Sequence, residues 1–167
     1  MNVISNLPYQ IASGIIAKLC AWPVRFPLMV LMVQREVGMR LAARPGSKEY
    51  GTLSLWVCHR YDIEIKRIVP PNAFSPAPKV ESALVLMEAL PSPIVEVPDE
   101  EFYFSLVRAA FAMRRKTILN NLRPWSHAES RKIDWIQVLK SAEIETRRRA
   151  ETLGAEEFAR IARAIPS

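Results

Sequence analysis

The chain contains 167 residues, of which 50% are hydrophobic, and carries a formal net charge of +6 at pH 7. This length and apolar content suffice to bury a core and exclude a disordered tail. The longest uninterrupted apolar run, residues 28–33, is too short to cross a membrane, and no signal peptide pattern begins at Met1. We therefore expect a soluble, cytoplasmic protein without a membrane partner.

The first half of the chain mixes helix and strand patterns. Residues 28–33 are apolar on both faces, which is typical of a central strand in a parallel sheet, although periodicity alone also permits a buried helix. In chain order we predict a helix after Tyr9 that stops at Trp22-Pro23, a strand over 28–33, helices over 36–43 and 52–61, and strands over 63–66 and 83–87. This order predicts an α/β fold of which only the second half is present, with an exposed sheet edge through which copies of the chain could self-associate.

The second half of the chain has helical patterns only. Residues 91–98 contain three prolines and read as a linker, so we predict an α/β domain over 1–90 and a helical domain over 91–167. Asp99 is a predicted N-cap of the first helix, which Arg114-Arg115-Lys116 ends or interrupts. Further helices are predicted over 118–122, around Trp135 and Leu139, and from Phe158 to Ile165.

Charge is divided unevenly between the two halves. Residues 1–107 contain ten Lys/Arg and ten Asp/Glu, whereas residues 108–167 contain thirteen and seven. A basic region of this kind indicates a polyanionic partner, such as a nucleic acid, because phosphate neutralisation releases counterions. A solvated helical surface explains the charge equally well. Cys20 and Cys58 lack metal-ligand spacing, and His59 and His127 are too few to complete a site, so we expect core thiols and no bound metal.

The tetrapeptide Asn6-Leu7-Pro8-Tyr9 is suited to holding a planar amino group. The Asn6 carboxamide oxygen and the Leu7 carbonyl can accept both amino hydrogens, Pro8 restricts the turn, and Tyr9 offers a ring for base stacking. A plain turn after a strand is the alternative. Residues 70–79 contain four prolines, which stiffen the loop and hold Phe74 at little entropic cost.

Four segments in a fixed order resemble the ribosomal RNA adenine dimethylase family, in particular its small-subunit, KsgA-type branch. They are residues 6–9 (NLPY), 74–82 (FSPAPKVES), 110–122 (AFAMRRKTILNNL) and 149–153 (RAETL), and the resemblance covers essentially the whole chain. It implies S-adenosylmethionine-dependent dimethylation of N6 on two adjacent adenosines near the 3′ end of 16S rRNA. It also implies a Rossmann-like methyltransferase domain followed by a small helical RNA-binding domain, with the small ribosomal subunit precursor as partner.

The resemblance also implies roles for individual residues. Asn6 and the backbone of Leu7 and Pro8 would grip the target amine, with Asn6 at the shared edge of the donor site, while Tyr9 and Phe74 would stack on the two faces of a flipped-out base. Contacts to rRNA are expected from Lys79, Arg114, Arg115, Lys116, Arg123, Arg147 and Arg148. For Arg114 to Lys116 the alternative is a solvated helix end; Lys79 could instead face the methyl donor, and Arg149 could form a structural pair with Glu151.

The chain departs from the family pattern at the donor site. Its five glycines include no GxGxxG spacing, and neither that loop nor the acidic residues that bind the donor are found in these residues. We therefore expect a truncated portion that neither binds S-adenosylmethionine appreciably nor turns over alone. A smaller departure is Gly154, where relatives usually have serine and where glycine can still serve as an N-cap. Two other functions fit the sequence: a non-catalytic ribosome-assembly module, and an Erm-type 23S rRNA methyltransferase.

Overall fold

The computed structural model describes residues 1–22, 25–125 and 133–166. The chain forms two compact units, one of Met1–Ala43 with Leu53–Ile94 and one of Arg44–Thr52 with Val95–Ser167. The first unit contains β1 (Val3–Asn6), α1 (Ala12–Cys20), β2 (Leu28–Gln34), α2 (Arg35–Leu41), α3 (Thr52–Cys58), β3 (Tyr61–Val69) and β4 (Ser82–Ala89). The second contains α4 (Glu100–Ala110), α5 (Ile118–Leu122), α6 (Trp135–Ser141) and α7 (Ala155–Ala164).

The first unit is built on a four-stranded sheet with the order β1-β2-β4-β3. Strand β2 pairs in parallel with β1 and antiparallel with β4, and β3 also pairs antiparallel with β4. The predicted central strand over 28–33 is confirmed, but the prediction of a parallel sheet is wrong for every pair except β1 with β2. The apolar run was misleading because Leu28, Val30 and Met32 are only half-buried, so β2 alternates as a strand of a mixed sheet does.

One face of this sheet is fully buried. Across the β2 and β4 ladder, the buried partners are Met29 with Met87, Leu31 with Val85, and Val33 with Ala83. Helix α2 approaches this face so closely that a Cβ on Gly38 would lie 2.8 Å from the Cβ of Ala83, a distance that only glycine avoids. Strand β1 lies at one edge of the sheet. Its Ile4 side chain is 82% exposed, as expected for an exposed edge with apolar residues.

The second unit is helical, and two of its helices begin at the caps predicted from the sequence, Asp99 and Gly154. The Asp99 side chain accepts a hydrogen bond from the Phe102 N–H, which confirms the predicted N-cap, and Asp134 accepts from the N–H groups of Ile136 and Gln137. At α7, Gly154 is the N-cap and donates its own N–H to the Glu157 carboxylate at 2.9 Å. The core includes Tyr103, Leu106, Val107, Ile118, Leu122, Leu139, Phe158 and Ile161.

The segment Arg44–Thr52 is part of this helical unit, although we predicted that residues 1–90 would form one continuous domain. The Gly46 N–H donates to the Glu151 carbonyl at 2.7 Å, and the Tyr50 hydroxyl donates to the Leu153 carbonyl at 2.9 Å. These are hydrogen bonds between residues about a hundred positions apart. No local sequence pattern predicts such pairings, which explains the difference.

Most elements lie where the patterns placed them, with shifts of a few residues at their ends. The strand β1 was not predicted, since four residues are too few to show periodicity. Pro23, at which the first helix was expected to stop, and His127 both lie outside the described residues. Across the described ranges, no helix combines the length and the apolar character needed to span a bilayer.

The two cysteines end helices against the core of the first unit. Cys20 is buried and Cys58 is half-buried, and both are free thiols. Burial raises the pKa of the Cys20 thiol from 9.0 to about 12, against a smaller opposing effect of the Arg60 charge. Burial likewise raises the pKa of the Cys58 thiol from 9.0 to about 11.

These pKa shifts predict a loss of stability at alkaline pH. A thiol whose pKa is higher in the folded state stabilises that state at low pH, and this contribution is lost as the pH rises from 9 towards 11 and 12. We expect the free energy of unfolding to fall by about 1 kcal/mol per thiol between pH 9 and pH 10, measured by urea titration. A Cys20→Ala/Cys58→Ala variant should lose this part of the dependence, and equal pH profiles for both proteins would contradict the prediction.

Candidate functional site

The tetrapeptide at the end of β1 is held by its neighbours on both sides. The Leu7 side chain is buried, and its N–H donates to the Met32 carbonyl at 3.0 Å, continuing the β1 and β2 ladder by one residue. The Pro8 carbonyl accepts from the Ile11 N–H at 3.2 Å and so opens the turn into α1. Within the described ranges, neither the Leu7 carbonyl nor the Asn6 carboxamide has a hydrogen-bond partner. Both acceptors of these adjacent residues are therefore unpaired within those ranges.

The loop that carries Phe74 is equally constrained. A 3₁₀ turn over Pro71–Ala73 places the Phe74 N–H in a hydrogen bond to the Pro71 carbonyl at 3.2 Å. Proline rings on both sides of Phe74 limit the backbone further. The Phe74 side chain is half-buried, so part of its ring remains accessible. Part of the Phe74 ring is thus accessible, although Phe74 itself lies outside the helices and strands.

These two segments line one cavity of about 430 Å³. The residues that line it are Asn6, Leu7, Pro8, Tyr9, Phe74, Ser75, Pro76 and Pro78. The structure therefore brings together all five residues that the sequence assigned to amine binding and base stacking, although about seventy positions separate the two segments. The cavity is open, and its lining combines two aromatic side chains with Asn6 and Leu7, whose acceptors have no partner in the described ranges.

One residue of this site was missed by the sequence reasoning. The Tyr9 hydroxyl lies 2.5 Å from the Ser82 hydroxyl, a hydrogen bond that fixes the far end of the Tyr9 ring. Ser82 is fully buried and is the first residue of β4, immediately after the proline-rich loop. A serine directly before the apolar run of residues 83–87 was the available signal, because a buried hydroxyl requires a partner.

Lys79 lies beside a second cavity of the first unit, of about 440 Å³. This cavity is lined by Gln34, Arg35, Glu36, Pro71, Lys79, Val80 and Glu81. Arg35 and Glu81 form an ion pair at 3.0 Å within it, and the Arg35 N–H donates to the Glu81 carbonyl at 2.9 Å. Lys79 is exposed and has no ion-pair partner among the described residues.

In the helical unit, Arg114 has a structural contact. Its Nε donates to the Glu151 carboxylate at 2.9 Å, and its Nη2 donates to the Lys48 carbonyl. The proposed pair between Arg149 and Glu151 is therefore wrong, because Glu151 is occupied by a residue 37 positions earlier. Arg114 also does not lie at a helix end: α4 stops at Ala110, and Arg114 belongs to the loop before α5.

Arg148 is similarly engaged. Its guanidinium donates to both carboxylate oxygens of Glu157, to the Thr152 hydroxyl at 3.2 Å and to the Thr152 carbonyl at 2.6 Å. Burial by itself would raise the pKa of the Glu157 carboxyl, but hydrogen bonds from Arg148 and from the Gly154 N–H lower it overall. Arg148 therefore links the 3₁₀ turn over Ala150–Thr152 to the start of α7.

The remaining predicted cations are exposed. Arg115, Lys116, Arg123 and Arg147 have no side-chain ion pair or hydrogen bond in the part of the chain that the structure describes. Their charges are consequently not neutralised by those neighbours. The same residue range holds no group of three or more His, Cys, Asp or Glu side chains arranged to bind a metal ion.

The buried Asn121 side chain forms hydrogen bonds to the backbone of the loop that carries Arg115 and Lys116. Its amide nitrogen donates to the carbonyls of Ala110 at 2.6 Å and Met113 at 3.1 Å, and its carbonyl oxygen accepts from the Met113 N–H at 3.2 Å. Met113 itself is 61% exposed. Since the backbone is fixed by a buried amide, the loop presents its side chains to solvent in a defined arrangement.

The fold and the site together define the class of protein. A sheet in which β1 and β2 are parallel and β4 and β3 antiparallel, with β1 leading into the cavity at Asn6, and a helical unit that follows it, has a Rossmann-like methyltransferase fold with an added α domain. A model of the family described as Ribosomal RNA adenine dimethylase matches residues 1–161. The chain therefore belongs to the ribosomal RNA adenine dimethylase family, and the family predicted from the four ordered segments is confirmed.

The curated relatives are named Ribosomal RNA small subunit methyltransferase A. Those from Bacillus mycoides (strain KBAB4), Bacillus cereus (strain B4264) and Bacillus anthracis (strain A0248) are each 42% identical over 164 residues. The matched region is 98% of this chain and 56% of each relative. The chain thus spans about half the length of the curated relatives it matches.

Two solved structures share the fold. A dimethyladenosine transferase from Plasmodium falciparum aligns with a TM-score of 0.82 and 22% identity, over 96% of this chain and 64% of that one. The 23S rRNA methyltransferase ErmE aligns with a TM-score of 0.68 and 20% identity, over 99% of this chain and 65% of that one. At these identities the likeness concerns the fold.

Proposed function

We propose that this chain is the adenine-binding part of an S-adenosylmethionine-dependent rRNA dimethyltransferase that modifies N6 of two adjacent adenosines near the 3′ end of 16S rRNA. The single observation that carries the proposal is the cavity lined by Asn6 to Tyr9 and Phe74, with its two unpaired acceptors. The names of the curated relatives support the small subunit, rather than the 23S rRNA, as the substrate. The partner is then the small-subunit precursor during its assembly.

The residues of this cavity divide the work of presenting an adenine. The aromatic rings of Tyr9 and Phe74 receive the two faces of a base flipped out of its helix. The Asn6 carboxamide oxygen and the Leu7 carbonyl each accept one hydrogen of the 6-amino group. These two hydrogen bonds would hold the amine in a fixed orientation, and this orientation is what the chain's residues contribute to methyl transfer.

The methyl group would come from S-adenosylmethionine, but the residues present do not fit that donor. Of the five glycines, only Gly46 has a positive φ, and it lies in the helical unit. No glycine-rich turn follows β1, whose next residues are Leu7 and Pro8. We therefore propose that the donor is bound in longer family members and not by these 167 residues alone.

The amine grip predicts a specific energetic coupling. An RNA hairpin that carries adenosine at the target position should bind more tightly than the same hairpin with purine riboside, which lacks the 6-amino group, by about 1 kcal/mol per missing hydrogen bond. In an Asn6→Ala variant the two hairpins should bind more nearly equally, because one acceptor has been removed. Affinities are measured by fluorescence anisotropy. The same discrimination in both proteins would argue against the grip.

Exposed cations in the helical unit predict the salt dependence of RNA binding. In an Arg115→Gln/Lys116→Gln variant, the slope of log K against log salt should fall by about one unit for each phosphate that is no longer neutralised. A Lys18→Gln/Arg67→Gln variant removes the same charge from exposed positions in the first unit and serves as the matched control. Identical slopes for the two variants would exclude Arg115 and Lys116 from the RNA interface.

The donor proposal is tested by calorimetry. Titration of S-adenosylmethionine into this chain should give no binding heat at micromolar concentrations, because no glycine-rich turn follows a strand in the described residues to hold the donor. A longer family member is the positive control. Tight binding to this chain would overturn the proposal. A non-catalytic rRNA-binding module is the second candidate, favoured by the exposed cations of the helical unit, which lack ion-pair partners among the described residues. In that case adenosine and purine riboside hairpins would bind equally.

A further inference from the structure

Ser82 is a buried polar residue to which the base-binding proposal assigns no task. We propose that it is a positioning residue: its hydrogen bond to the Tyr9 hydroxyl sets the orientation of the Tyr9 ring as one wall of the adenine site. This inference rests on the proposed function and adds to it a residue that never touches the base. In this proposal Ser82 holds the Tyr9 ring through the hydroxyl group of Tyr9.

The backbone of Ser82 is paired with two neighbouring strands. As the first residue of β4 it pairs with Gln34 of β2 on one side and with Val69 of β3 on the other. Its side chain is completely buried. Because the backbone of Ser82 is paired with strands on both sides, its hydroxyl restrains the position of any group that is hydrogen-bonded to it.

The hydroxyl of Ser82 has one hydrogen-bond partner among the described residues, the Tyr9 oxygen at 2.5 Å. A buried hydroxyl without a partner is costly, which explains why this pair forms rather than each group seeking water. Tyr9 is half-buried and lies in a turn, not in a helix or strand. The turn fixes its backbone, but the ring's rotation is restricted at its far end by this bond.

Ser82 also closes the loop that carries the opposite wall. Phe74 lies eight residues before it, and the intervening residues include Pro76 and Pro78. Both aromatic residues that line the cavity are thus connected to the start of β4. Phe74 is connected through the proline-rich loop, and Tyr9 through its hydrogen bond to Ser82. The separation of the walls, which must match the thickness of one base, depends on that shared reference point.

The test uses an RNA hairpin with 2-aminopurine at the target position. This base lacks the 6-amino group but presents the same ring faces, so its fluorescence lifetimes report stacking separately from amine binding. The ratio of stacked to unstacked base in the complex is measured for the parent chain, Ser82→Ala, Tyr9→Phe and the double variant. Tyr9→Phe is the matched control, because it removes the same hydrogen bond from the other end and keeps the ring.

We expect the ratio to fall about fivefold in each single variant, the size of one missing hydrogen bond, and to fall no further in the double variant. The slope of log K against log salt for the hairpin should stay unchanged, since that slope reports phosphate contacts and not base stacking. A purely structural role would lower the unfolding midpoint, followed by circular dichroism, and leave the ratio unchanged. Tyr9→Phe, at a half-buried position, keeps the test open if Ser82→Ala does not fold.

Two failures are distinguishable. If the parent chain shows no stacked population, the adenine site itself is wrong and this inference falls with it. If the parent stacks the base and both single variants stack it equally well, the adenine site stands and the positioning role of Ser82 is overturned. Additive losses in the double variant would also overturn it, because the two residues would then act independently.

Discussion

Strand β4 is the constraint on which the candidate site depends. It is the strand inserted antiparallel between β2 and β3, and its residues are hydrogen-bonded on both sides. Its first residue, Ser82, pairs with Gln34 of β2 and with Val69 of β3. The proline-rich loop ends there, the Tyr9 hydroxyl is bonded there, and Arg35 is bonded to the residue just before it. The supports of Tyr9 and of the loop that carries Phe74 therefore converge on one strand end.

The helical unit shows how one type of side chain serves two purposes. Arg114 and Arg148 are bonded to carboxylates and carbonyls, and they hold the segment Arg44–Thr52 and the start of α7 in place. Arg115, Lys116 and Arg147, their immediate neighbours in sequence, remain exposed and unneutralised by other described residues. Adjacent cations therefore differ in role: some form structural contacts, and others have their charges exposed to solvent. Of the exposed set, Arg115 and Lys116 lie in the loop whose backbone is hydrogen-bonded to the buried Asn121 at Ala110 and Met113.

Much of the fold was predictable because the relevant signals are local. The helix beginning after Asp99 follows from a side chain that caps its own helix, and α5 and α6 follow from their apolar spacing. The orientation of β4 was not predictable, because an apolar strand reads the same whichever way it pairs. The membership of Arg44–Thr52 in the helical unit was not predictable either, since it depends on the hydrogen bonds of Gly46 and Tyr50 to residues near 151–153.

For the candidate site, the sequence by itself determined the chemical groups: two acceptors in Asn6 and Leu7, two rings in Tyr9 and Phe74, and a surplus of cations beyond residue 107. These follow from residue type and from the local stiffness of proline. Only the tertiary structure decided which groups meet. It joined the two aromatic segments in one cavity, selected Ser82 as the partner of Tyr9, and withdrew Arg114 and Arg148 into structural contacts. The physical reason is that hydrogen bonds and ion pairs across 73 or 37 positions depend on how the chain folds back, which composition and periodicity do not encode.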